Sequence, residues 1–120
     1  MNARAQVTLD RIKKLIKEIF LMIDCFPRKT ASFTIAKQIM DLVTSIGANF
    51  VEAQSSRSTK EFVSIMAVVL REAKETLFWL EIVSDLKLTC PDKIDRIYQE
   101  CGELVKIFSA TVITTSRSLK

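Results

Sequence analysis

Residues 58–83 read STKEFVSIMAVVLREAKETLFWLEIV, and Phe62, Ile65, Met66, Val69, Ala73, Leu77, Leu80 and Val83 recur along them at mostly three- and four-residue steps. This spacing lines the apolar side chains along one stripe of an α-helix. Ser58, with Glu61 three residues later, has the form of a capping box in front of Phe62 and sets the start of the helix. Arg71 and Glu75 lie one turn apart and are suited to pair on the solvent side. The periodicity predicts a helix over about 59–86. One apolar stripe of that length needs other elements to cover it.

The chain on either side supplies them. Ser55, Ser56 and Arg57 break the pattern, and before them Ile35, Ile39, Leu42, Ile46 and Ala53 mark a second helix over about 34–54, with Asn49 placed in the apolar seam. A neighbouring row, Gln38, Asp41, Ser45, Asn49 and Glu52, is polar throughout, while Gly47 and Ala48 keep this helix slim. Farther back, Leu9, Ile12, Ile16, Ile19, Ile23 and Phe26 form a seam, widened by Leu15, Phe20 and Met22, that ends at Pro27. Proline has no N–H to donate and disfavours helical geometry in the residue before it, so this helix covers about 5–26. Downstream, Thr89 or Cys90 as cap, Pro91 in the first turn and Asp92 at the positive helix end start a fourth helix, about 91–114, with Ile94, Ile97, Cys101, Leu104, Phe108, Thr111 and Val112 facing inward. The stretch from Thr114 to Lys120 is polar and expected to fray. Four amphipathic helices with short connections predict an all-α protein, an antiparallel up-down-up-down four-helix bundle forming one domain over residues 1–120.

The composition agrees. Only two glycines and two prolines punctuate 120 residues, leaving an all-β reading without its turns, and a 48% apolar content suffices for one core. Histidine is absent, which removes the commonest general base and the commonest neutral metal ligand together. Glu-x-x-His di-iron sites of ferritin-like bundles are therefore excluded. No catalytic residue, metal or cofactor is expected, and the chain is expected not to be an enzyme. Cys25, Cys90 and Cys101 are odd in number and lack CxxC spacing, and without a basic-then-apolar run in the first residues no signal segment is expected. Reduced thiols in a cytoplasmic protein are the expectation, and no stretch is apolar enough to span a membrane.

The net charge of +4 is unevenly placed. Residues 1–30 hold Arg4, Arg11, Lys13, Lys14, Lys17, Arg28 and Lys29 against Asp10, Glu18 and Asp24, seven against three, whereas the remaining ninety residues balance at eleven against eleven. The first helix and its turn thus carry the whole excess. That distribution suits a surface for a polyanion, and equally a solvated helix face.

The segments FPRKT (26–30), QIMDLVTSIGANFVEAQ (38–54) and SRSTKEFVSIMAVVLREAKETLFWLEIV (56–83) resemble the four-helix bundle proteins encoded within intervening sequences of bacterial 23S rRNA genes. Gln38, Ser45, Ile46, Ala48, Asn49, Glu52 and Ala53 match the pattern of that family's second helix. Ser58, Glu61, Phe62, Glu72, Ala73, Glu75, Thr76, Phe78, Trp79, Leu80 and Glu81 match the third, with Arg71 where lysine is usual. Val51 departs from a common arginine, and Gln54 leads into serines where basic residues are frequent. The resemblance, over about residues 9–113, implies a homo-oligomeric ring, typically a pentamer, without catalytic activity. It extends distantly to the accessory variability proteins of diversity-generating retroelements, which implies RNA or DNA and a reverse transcriptase or other nucleic-acid enzyme as candidate partners.

Two residue groups outside the basic segment need weighing. Gln38, Ser45, Asn49, Glu52, Glu72 and Glu75 offer oxygens to a divalent cation, yet Arg71 and Lys74 stand beside the carboxylates and favour a hydrogen-bonded layer that fixes register or a subunit contact. Phe78 and Trp79 offer faces to a nucleobase, but adjacent helix positions cannot both enter one core, and a subunit interface accounts for the pair more simply. Two functions follow as expectations: a ring-forming, nucleic-acid-associated adaptor using the basic helix, or a protein-interaction scaffold that binds no nucleic acid.

Overall fold

A computed structural model describes residues 1–119 as four helices, α1 (Ala3–Asp24), α2 (Thr30–Ala53), α3 (Thr59–Asp85) and α4 (Pro91–Arg117). Each helix packs on the next in sequence and α4 closes on α1, while the diagonal pairs stay apart. The residues that meet run in opposite order: Gly47 lies beside Ile12 and Ile16, Asn49 bonds Glu72, Tyr98 bonds Glu81, and Arg11 bonds Glu100. The fold is the all-α, up-down-up-down bundle. At about 1.5 Å of rise per residue, helices of this length span most of the 48 Å long axis.

The chain ends each helix by identifiable chemistry. Asn2 Oδ1 accepts the Ala5 N–H at 2.8 Å, so α1 starts at Ala3 rather than near residue 5. Ser58 Oγ accepts the Glu61 N–H at 3.1 Å, but Glu61 returns its carboxylate to the Arg57 N–H at 3.3 Å, one residue outside the box. For α2 the N-cap is Lys29, which offers no side-chain bond, and the helix begins at Thr30, four residues before the apolar periodicity indicates. Periodicity sees a buried stripe, and Thr30, Ala31, Phe33 and Thr34 are exposed. In α4 the helix continues through Thr114 to Arg117, and Lys120, the last residue of the stretch expected to fray, lies outside the described residues.

Lys87 ends α3 with φ at 53°, the left-handed region, while the Leu88 N–H reaches back to the Val83 carbonyl at 3.1 Å and the Leu88 side chain is buried. A Cβ costs about 1 kcal/mol or more in this conformation, and glycine recovers it at the expense of greater freedom in the unfolded chain. Lys87→Gly is therefore expected to stabilise by about 0.5 kcal/mol, read as a higher urea midpoint at unchanged slope. A lower midpoint would mean that the lysine side chain contributes more than its backbone costs.

The core runs the length of the bundle through Ile12, Ile19, Met22, Ile39, Ile46, Met66, Leu80, Ile97, Leu104 and Phe108, all 2% exposed or less. Two of the expected seams shift by one residue. In α1 the fully buried positions are Leu15 and Met22, with Ile16 and Ile23 only partly buried at the edge. In α2 they are Val43 and Phe50, so Asn49 does not sit in the core seam but at its half-buried border. Gly47 has the close approach expected of it: an added Cβ would stand 3.1 Å from Ile16 Cδ1.

Candidate nucleic-acid interface and subunit surfaces

The seven basic residues of the first thirty do not form one patch. Arg4 stands near the start of α1 and Arg28 and Lys29 in the turn after it, so the 22 residues of α1, roughly 33 Å of helix, lie between them. Arg11 is occupied: its Nε and one terminal nitrogen donate to the two carboxylate oxygens of Glu100 on α4, at 2.9 and 3.1 Å, and this bond is the main cause that raises the guanidinium pKa. Glu18 meets Arg96 of α4 at 3.6 Å, so this helix pair is joined by two ion pairs of opposite polarity. Lys13, Lys14 and Lys17 are exposed on the side of α1 away from the core, and among the described residues none forms an ion pair. Asp10 is nearby, held by a hydrogen bond from Gln6 at 2.9 Å. The central lysines are the part of the candidate set that is together, solvent-facing and uncommitted.

The second group meets only in part. Gln38 and Glu52 are exposed on α2 and Ser45 is half-buried, but only Asn49 reaches across to α3, donating from Nδ2 to Glu72 Oε1 at 3.0 Å. Glu75 turns outward, with an oxygen 4.0 Å from Arg71. Among the described residues, no three His, Cys, Asp or Glu side chains converge as a metal site would require. Partial burial raises the Glu72 carboxyl pKa, opposed by the Asn49 donor and by Arg71 and reinforced by Glu75.

A raised folded-state pKa means the folded chain holds its proton more tightly than the unfolded chain. The ionised Glu72 thus costs stability at neutral pH, and the cost vanishes as pH falls below the carboxyl's titration. Asn49→Leu removes the donor that favours the charged form. The variant is expected to remain helical, to lose about 1 kcal/mol at pH 7 and to lose less near pH 4, as measured by urea unfolding at both values. An equal loss at the two pH values would place the effect in packing instead.

Phe78 and Trp79 point different ways. Trp79 is half-buried against the core, Phe78 is 53% exposed, and the rings meet edge-on at 5.1 Å and 75°. Leu21 and Phe33, 65% and 60% exposed, are further uncovered apolar side chains that periodicity did not single out. Cys101 lies buried beside the Ala73 carbonyl, and burial pushes its thiol up to about 12, so at neutral pH it behaves as a small apolar group. Cys25 and Cys90 are exposed.

A short antiparallel four-helix bundle with polar residues joining α2 to α3 and an uncommitted basic face on α1 defines a small helical-bundle protein. The model of the 23S rRNA-intervening sequence protein family matches residues 6–110, nearly the whole of the bundle, and the chain belongs to that family. A solved structure of a protein with unknown function from the S23 ribosomal protein family of Bacteroides thetaiotaomicron is similar, at TM-score 0.82 and 26% identity over 90% of this chain and 96% of that one. No curated protein matches the chain. No helix among the described residues is long and apolar enough to cross a membrane.

Proposed function

We propose that the protein is a non-catalytic accessory factor of the cytoplasm that assembles with its own copies into a ring and associates with RNA or DNA through α1. The observation that carries the reading is the exposed triplet Lys13, Lys14 and Lys17, without an ion-pair partner among the described residues, on the helix that together with the turn after it holds the chain's charge excess. Three lysines on one protomer bind phosphate weakly. A ring repeats them, and for the five-membered ring implied by the sequence resemblance the net charge reaches roughly +20, enough to hold a phosphate backbone at low salt. The exposed Phe78 supports self-association, since aromatic side chains are enriched where subunits meet. A nucleic-acid enzyme, a reverse transcriptase among them, is the kind of protein such a factor would serve.

Two measurements on the purified chain test this. Sedimentation at micromolar concentration is expected to give a species several times 13.6 kDa, and a clean 13.6 kDa species would remove the ring. Fluorescence anisotropy with a labelled single-stranded RNA is expected to show binding that is indifferent to sequence and falls steeply with added salt, because released counterions supply most of the affinity. Absence of binding at about 50 mM salt, where screening is weak, would reject the nucleic-acid role and leave a protein-interaction scaffold.

A further inference from the structure

Antiparallel topology brings the start of α1, the end of α2, the start of α3 and the end of α4 to one end of the bundle. There residues of all four helices line a cleft of about 290 Å³. Phe50 and Met66, both core residues, and the half-buried Phe62 and Ile107 supply its apolar surfaces. Arg4, Gln54, Thr8, Thr111, Thr114 and Thr115 supply its polar ones. Two shallower hollows share its walls. One continues along the α1–α4 seam past Arg4, Val7 and Thr111, and the other passes Gln54 and Phe62 to Arg57 and Ser58 at the start of α3.

The charge of this lining is one-sided. Arg4 and Arg57 line the hollows without an ion-pair partner among the described residues, Arg11 being held by Glu100, and no aspartate or glutamate among the described residues lines any of the three, although the chain carries fourteen acidic residues. The positive ends of α1 and α3 are met at this end by the negative ends of α2 and α4, so the helix dipoles largely offset and the arginines supply the field. Ser56 Oγ, in the wall of the α3 hollow, is buried without a hydrogen-bond partner. Thr8 and Thr111 spend their hydroxyl protons on the Arg4 and Ile107 carbonyls and Gln54 one amide proton on that of Phe50, so Arg4 is the charged donor over an aromatic and aliphatic floor, and with carboxylates absent from the lining it selects a ligand with an apolar body and an anionic head.

We infer that this cleft binds a small amphiphilic anion, an aromatic or short aliphatic body carrying a carboxylate, sulfonate or phosphate, with the body against Phe50, Phe62 and Met66 and the anionic group at Arg4. The cleft is separate from the outer lysine face of α1, so the two sites fail or stand independently.

The test is a titration of ¹⁵N-labelled full chain with naphthalene-2-sulfonate, in parallel with the uncharged naphthalene-2-methanol, followed by amide shifts. Saturable shifts are expected at Thr8, Gln54, Thr111 and Thr115, with the sulfonate binding more tightly than the alcohol. Arg4→Gln, a change at an exposed position, should weaken the sulfonate by roughly three- to tenfold and leave the alcohol unchanged. Ala110→Trp, also at an exposed position of the lining, should obstruct the cleft and weaken both. Equal affinity for the two probes, no effect of Arg4→Gln, shifts confined to Lys13, Lys14 and Lys17, or no saturable shift at 5 mM probe would each overturn the assignment.

Discussion

Charge reversal of Lys13, Lys14 and Lys17 to glutamate is expected to abolish RNA binding while the bundle stays folded. Three reversals remove six units from the +4 of each protomer and leave −2, so the face that attracted phosphates repels them. The fold tolerates the change because all three side chains are exposed. The new like-charge neighbours, such as Asp10 with residue 14 one turn away, cost only about 0.2–0.5 kcal/mol each. Circular dichroism should therefore be unchanged. Neutralising the same lysines to glutamine should act more gently, flattening the dependence of log affinity on log salt by roughly two units for a single strand that contacts all three. The control is a matched triple in the electrically balanced part of the chain. Lys87 and Lys93 serve, but Arg96 does not, because it is paired with Glu18 of α1, and Lys60, exposed and without an ion pair among the described residues, takes its place. Equal losses from the two triples would mean generic attraction to a cationic particle and would sink the assignment to α1.

Truncating Phe108 to alanine should be the most damaging single change to the fold, at about 3–5 kcal/mol and a fall in Tm of roughly 12–20 °C. The ring is 0% exposed and lies 6.2 Å from that of Phe50, tilted by 42°, with Leu104 and Cys101 buried on the same face of α4. The helices around it are fixed by core along their whole length and have little freedom to collapse into the space. Phe78→Ala supplies the contrast. The same truncation at a 53% exposed ring should alter unfolding by about 0.5 kcal/mol or less and change the sedimentation instead. Comparable destabilisation at the two positions would contradict the burial that separates them.

These cases mark what the sequence could and could not disclose. Helix number, order and direction were legible because Pro27, Pro91 and Ser58 punctuate the chain at positions where local chemistry alone ends or starts a helix. The choice between adjacent rows was not. In α1 Leu15 and Ile16 are both apolar, as are Met22 and Ile23, so periodicity defines a broad stripe and only the packing of α2 and α4 selects its centre. The same ambiguity hid Phe50 behind Asn49. Arg11 looked like any basic residue of its helix, because its partner Glu100 is 89 positions away and meets it only after the chain has gone up and down the bundle twice. The lysines between Arg11 and Phe20 were readable as exposed because they fall off every apolar row. The end cleft was invisible for the opposite reason: its lining comes from all four helices and has no spacing in the chain.

The unequal seams of the bundle also set an order in time. The α2–α3 and α3–α4 pairs pack extensively, whereas α1 touches each of its neighbours over fewer residues and is fastened to α4 partly by the part-exposed Arg11–Glu100 and Glu18–Arg96 bridges. Three of the four seams join helices adjacent in the chain, a topology of low contact order that favours fast folding. The remaining seam closes a loop of nearly the whole chain, and loop closure of that length is paid only once the rest is ordered. Docking of α1 onto α4 is then expected late, and its reversal is expected among the lower-energy openings of the native state. Amide hydrogens of α1 should exchange by local detachment well before those of α3, which wait for global unfolding. Breaking the Arg11–Glu100 bridge should speed unfolding and leave the folding rate almost untouched.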